Sequence, residues 1–158
     1  MNEKFLYNHP IQYPKIMTIK QISIFLENKK GTLLQVFQLL KEADIQLIAT
    51  TIADTLDYGI LRIVCSEPAR AYEVLKQGGI AVTLSDVFAI ELDNQVGSAA
   101  NAISIFAAEG ISISYLYSFL MAGKGILVFR TDNAERAREI ISLNEMKFLA
   151  EKDLAGII

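Results

Sequence analysis

Two stretches of this chain carry residue types and spacings that can recognise a small molecule. The first is Asn28-Lys29-Lys30-Gly31-Thr32-Leu33, a polar turn between a strand pattern and a helix pattern. Before it, Ile22, Ile24 and Leu26 alternate with Gln21, Ser23 and Phe25. After it, Leu33, Leu34, Val36, Phe37 and Leu40 recur at helical spacing. Amides in the first turn of a helix lack intrahelical partners, so such a turn can hold an anion. The second stretch runs from Ile111 to Phe119 and interleaves tyrosine with serine. Alternation predicts Ile111, Ile113, Tyr115, Tyr117 and Phe119 on one face, with Ser112, Ser114, Leu116 and Ser118 on the other. Two roles fit the tyrosines: rings packed over helices with hydroxyls at the rim, or contact with a ligand.

Other reactive types do not assemble. Cys65 is the only cysteine, so no intrachain disulfide can form, and its run Ile60-Leu61-Arg62-Ile63-Val64-Cys65 reads as a strand burying a small hydrophobe. His9 is the only histidine and lies far from Cys65 in sequence, which argues against a zinc site or a Cys/His pair. No acid-base or nucleophile-base set emerges, so the chain is expected to be no enzyme, with no catalytic residues, no metal site and no cofactor. Lys29 and Lys30 can guide an acidic ligand or simply be solvated. Arg62 and Arg130 are expected on opposite strand faces, and so not to form an anion clamp. Glu135, Arg136, Arg138 and Glu139 read as a solvated helix face.

Composition sets the class. With 52% hydrophobic and 21% charged residues the chain is globular. A net charge of −3 argues against a nucleic-acid surface, which needs a basic excess. No apolar run reaches membrane-span length and no secretory pattern opens the chain, so the expectation is a cytoplasmic protein with no membrane partner. Residues 1–17 read as an N-terminal arm, with Met17 an alternative start.

The elements that must position the two stretches follow in order: strand 19–27, helix 31–43, strand 45–54, a hairpin through Thr55 to Tyr58, strand 59–66, helix 67–77 capped by Ser66, and strand 80–86. A shift of 66 positions then sets Asn28 on Asn94, Gly31 on Gly97, Gly59 on Gly125 and Ser66 on Asp132, with apolar positions in phase. The second copy reads as strand 87–93, helix 97–109, strand 111–121, strand 125–131, helix 133–143 and strand 146–150, with Ala155 to Ile158 starting a further strand. The fold class is therefore α+β. It has two ferredoxin-like βαββαβ units side by side, residues 18–86 and 87–158, with helices on one face of antiparallel sheets joined edge to edge into eight strands. The other face carries Ile60, Val64, Ile126 and Val128 and needs a cover, which points to a homodimer.

The pieces Ile22 to Leu33 and Ala89 to Ala99 together resemble the ACT domain family, the small regulatory modules that bind amino acids and related metabolites. An acidic or amide residue, two further residues, glycine and an apolar helix carry the likeness. Both copies lack the proline often found before the glycine, and Ser98-Ala99 replaces a large apolar residue in the second. The resemblance implies a tandem, non-enzymatic amino-acid-binding protein, or alternatively an interaction module that regulates a partner enzyme with the ligand site vestigial. It implies a pocket where the strand-helix turn of one unit faces the second strand of its neighbour. The implied ligand residues are Asn28, Lys30, Gly31, Thr32 and Leu33, with Asn94, Val96, Gly97 and Ser98 in the second copy and Tyr115 and Tyr117 on the strand. Asn28 either fixes the turn or accepts from an ammonium group, and the amides of Gly31, Thr32 and Leu33 receive a carboxylate. Ala49 and Thr51 stand where the second copy has Tyr115 and Tyr117, which points to one favoured pocket.

Overall fold

Alternating apolar residues make β1 (Thr18–Glu27) a strand with Ile22, Ile24 and Leu26 on one side, and these three are buried beneath two helices. The computed structural model describes residues 17–27, 29–54 and 57–155. The N-terminal arm before Met17, Asn28, Thr55 and Leu56 of the first hairpin, and residues 156–158 lie outside the described residues. After β1 come α1 (Thr32–Glu42), β2 (Leu47–Asp54), β3 (Tyr58–Cys65), α2 (Pro68–Gln77), β4 (Val82–Leu92), α3 (Ser98–Ala108), β5 (Ile113–Met121), β6 (Lys124–Thr131), α4 (Ala134–Leu143) and α5 (Glu151–Leu154).

All strand pairs are antiparallel, and the sheet order is β2-β3-β1-β4-β6-β5. Six strands replace the expected eight for two reasons. The strands expected at 80–86 and 87–93 are one continuous strand, β4, because nothing at Ser85-Asp86 forces a turn and the ladder to β1 runs from Val82 to Phe88 without a break. The expected strand 146–150 shrinks to one bridge, Ile90 to Phe148, with Glu91 N–H donating to the Lys147 carbonyl and Leu149 N–H to the Ala89 carbonyl. The boundary expected between Asp86 and Val87 falls inside β4. Met17, assigned by sequence to the arm, is fully buried in the core of the second unit.

The duplication holds at the level of single hydrogen bonds. Gln46 N–H donates to Ser66 Oγ at 3.1 Å and Ser66 N–H returns to the Gln46 carbonyl. Ser112 N–H donates to Asp132 Oδ1 at 3.1 Å and Asp132 N–H returns to the Ser112 carbonyl. Ser66 is thereby committed to Gln46, just before β2, so Glu67 occupies the cap position of α2 with proline next to it. Asn133 caps α4 by accepting from Arg136 N–H.

Helices α1 and α2 cover the Ile22 side of the first unit, and α3 and α4 cover Phe88, Ile90, Leu127 and Phe129 in the second. Residues paired across strands share a face, so both helix pairs lie on the same side of the sheet. The opposite side is not left open. Val64, Ile126 and Val128 are 0% exposed there, packed with Ile19, Val87 and Ala89 beneath Leu154 of α5 and beside Ile48 and Phe119. The two outermost strands, β2 and β5, touch each other, so the sheet rolls and covers much of this face by itself. The chain supplies a cover that sequence parity had assigned to a second copy. The C-terminal turn into α5 is tied to β1 by Glu151 accepting from Lys20 N–H at 2.7 Å, and the strand expected from Ala155 to Ile158 falls, beyond Ala155, outside the described residues.

Cys65 lies 1% exposed in the first core, and burial pushes its thiol up to about 11. A thiol reagent at pH 8 is expected to label the folded chain about a hundredfold more slowly than the urea-unfolded chain. Equal labelling rates would contradict the buried placement. Among the described residues, no helix is long and apolar enough to cross a membrane.

Candidate functional site

The two strand-helix turns are the same structure built twice. Gly31 caps α1 with φ 88° and ψ −9°, and Gly97 caps α3 with φ 89° and ψ −2°. Lys29 N–H donates to the Glu27 carbonyl and Gln95 N–H to the Asp93 carbonyl. Thr32 Oγ1 donates to the Lys29 carbonyl at 2.8 Å, and Ser98 Oγ to the Gln95 carbonyl at 2.9 Å. A left-handed cap explains the repeated glycine. Crowding does not, since a Cβ at either position would meet nothing within 4 Å. Gly31→Ala and Gly97→Ala should therefore each cost about 1 kcal/mol. Urea unfolding would check this, and a loss above about 3 kcal/mol would mean that contact, not φ, fixes the glycine.

The turns differ in their surroundings. A cavity of about 210 Å³ opens beside the first, between Glu27, Lys29, Thr32 and Leu33 on one side and Ile52, Asp54 and Tyr58 on the other. A second, of about 300 Å³, lies on its far side against Gln35 and Ile80. Lys29 pairs with Glu27, both well exposed, while Lys30 makes no ion pair among the described residues. The Thr32 amide donates to the Lys29 carbonyl at 3.4 Å, while the amides of Leu33 and Leu34 stand in the first turn of α1, where helix geometry supplies no acceptor. In the second turn Asn94 and Val96 are exposed, and Ser98 is tied to the Asp93 and Gln95 carbonyls.

Tyr115 and Tyr117 lie elsewhere. A bulge between Ile113 and Tyr115 adds one residue to β5, so Ile113 packs with the helix-side core while Tyr115, Tyr117 and Phe119 turn to the helix-free face. This corrects both the single-face alternation and the packing of the tyrosines over helices. Their partner is Gln21 of β1, a buried polar residue 0% exposed. Its Nε2 donates to Tyr115 Oη at 2.7 Å and to Ser23 Oγ at 3.1 Å, and Tyr117 Oη donates to its Oε1 at 2.7 Å. The Arg62 guanidinium lies 3.7 Å from the Tyr115 ring centre. Burial first, and then Tyr115, raise the Tyr117 phenol above its ordinary value, against the pull of Arg62.

Gln21 stands six residues before Glu27, about 20 Å along the strand. Within one chain the structure thus brings Lys29, Thr32 and Leu33 to one cavity and joins Tyr115 and Tyr117 to Gln21, without bringing the two groups together. Asn28 lies outside the described residues. Sequence reasoning missed Asp54 and Tyr58, which follow from the hairpin returning beside the turn, and Gln21, whose two tyrosine partners stand more than 90 residues away.

A duplicated ferredoxin-like unit with matched strand-helix turns, joined through the long strand β4, defines a tandem module. A family model described as an ACT domain pair matches residues 17–158, and the chain belongs to that family. A crystallised protein from Bacteroides thetaiotaomicron is 38% identical with a TM-score of 0.83, covering 89% of this chain and 97% of its own. The ligand-free regulatory subunit of aspartate kinase from Thermus thermophilus shares the fold at 16% identity and a TM-score of 0.56, over 82% of this chain and 93% of its own. The corresponding subunit from Thermus flavus does so at 19% identity and 0.54, over 81% and 92%. No curated protein matches the chain.

Proposed function

We propose that this chain is a non-enzymatic regulatory protein that binds a small amino acid at its first strand-helix turn, with occupancy shifting its assembly or its affinity for a partner enzyme in the cytoplasm. The observation that carries the reading is the cavity of about 210 Å³ at that turn, which sets a helix start and Lys29 beside Glu27 and Asp54. A zwitterion fits that arrangement. Its carboxylate meets the Leu33 amide and Lys29, and its ammonium meets a carboxylate. Thr32 lines the cavity too, Asn28, Lys30 and Gly31 are its neighbours in sequence, and Asn94, Val96, Gly97 and Ser98 form the equivalent second turn. Isothermal titration against the twenty amino acids tests this. At least one should bind saturably, and a folded sample that binds none would overturn it.

A second reading, an interaction module, has its own support. β5 is an edge strand without a charged residue, and Leu116 and Leu120 on it are 46% and 82% exposed. Natural edges usually carry charge or proline against pairing, so this one suits a homodimer in which Tyr115 and Tyr117 approach the turn of the other copy. Sedimentation should show a dimer that Leu120→Lys disperses. A monomer at high concentration would remove this reading.

A further inference from the structure

On the helix-free face the seam between the two units gathers hydrogen-bond donors without an acidic partner. Arg62 forms no ion pair or hydrogen bond among the described residues, and its Nε is buried without a partner. Tyr115 Oη and Ser23 Oγ both accept from Gln21, which leaves each hydroxyl hydrogen uncommitted among the described residues. Arg130, which is exposed, sits opposite Tyr115 in the β5–β6 ladder, again without an ion pair among the described residues. Arg62 and Arg130 are therefore on the same face, not on opposite ones. The repeat shift is even, so it preserves strand parity. Arg62, Ser23 and Tyr115 are half-buried, with the Arg62 Nε enclosed, and an anion there would accept from the guanidinium and both hydroxyls together.

Beside this cluster runs a groove of about 380 Å³ lined by Ser23, Phe25, Ile60 and Thr83. Ser23 belongs to both the groove and the cluster, and Arg62 is its cross-strand partner. Phe25 is 49% exposed and stacks on Tyr58 with ring centres 4.6 Å apart, which gives the groove an aromatic end. We infer that this seam is a second binding site, for a monocarboxylate with an apolar tail: the carboxylate is held by Arg62 with the Ser23 and Tyr115 hydroxyls, and the tail lies along Ile60 and Phe25. Its lining residues are distinct from those of the turn cavity, and its ligand needs no ammonium group, because no carboxylate among the described residues lines the groove.

Isovalerate and phenylacetate are the probes, titrated into the full chain while the side-chain Nε–Hε signals of its arginines are followed by ¹⁵N NMR. The Arg62 signal, identified by its loss in Arg62→Gln, should shift saturably with at least one probe. Arg62→Gln should weaken binding by roughly tenfold or more, whereas Arg70→Gln on the surface of α2 should leave it unchanged. No saturable shift, or equal affinity in Arg62→Gln, overturns the inference. If Arg62→Gln does not fold, Ser23→Val replaces it, and undiminished affinity there overturns the inference equally.

Discussion

Gln21→Leu is expected to destabilise the chain by about 3 kcal/mol or more, although it exchanges a polar residue for a good core residue at a site 0% exposed. The reason is what the leucine leaves behind. Gln21 satisfies both tyrosine hydroxyls of β5 at 2.7 Å and reaches Ser23 as well. Each orphaned buried hydroxyl costs about 1–3 kcal/mol, while the hydrogen bonds themselves are worth only about 1 kcal/mol each. The same asymmetry predicts a rescue. Adding Tyr115→Phe and Tyr117→Phe to Gln21→Leu removes the orphaned groups and should recover most of the loss. Urea unfolding of the four combinations measures this, and strictly additive losses would show that the cluster is not a coupled unit.

Phe129→Ala is expected to cost about 3–5 kcal/mol and to unfold both units together. Phe129 is 0% exposed, edge-on to Phe106 of α3 at 5.0 Å and stacked with Phe88 of β4 at 5.5 Å. Phe88 lies on the strand that also pairs with β1, so loosening the second core releases an edge of the first unit. Circular dichroism and near-ultraviolet melting should coincide in one transition. A first transition confined to the second unit, with the Cys65 region still protected, would mean that the shared strand does not couple them.

What was legible in the sequence was whatever depends on local conformation. Gly31 and Gly97 mark left-handed caps that other residues adopt only at a cost, and the alternation around Ile22 to Leu26 fixes one buried face. What was not legible depends on counting residues through an irregularity or on distant partners. One extra residue at the β5 bulge reverses the face of Tyr115 and Tyr117 relative to Ile113. Ser85-Asp86 carries turn-prone residues, yet pairing on the β1 side of β4 keeps it straight. The rolled sheet that buries Val64 and Val128 is a consequence of twist and of β2 meeting β5, which no window of sequence contains.

The amide chemical shifts of the chain during titration with the twenty amino acids, one at a time, test the central claim most directly. The account predicts that a bound amino acid moves the amides of Gly31, Leu33, Leu34 and Gly59 most, around the cavity at the first turn. Saturable binding that leaves those four amides in place would contradict it.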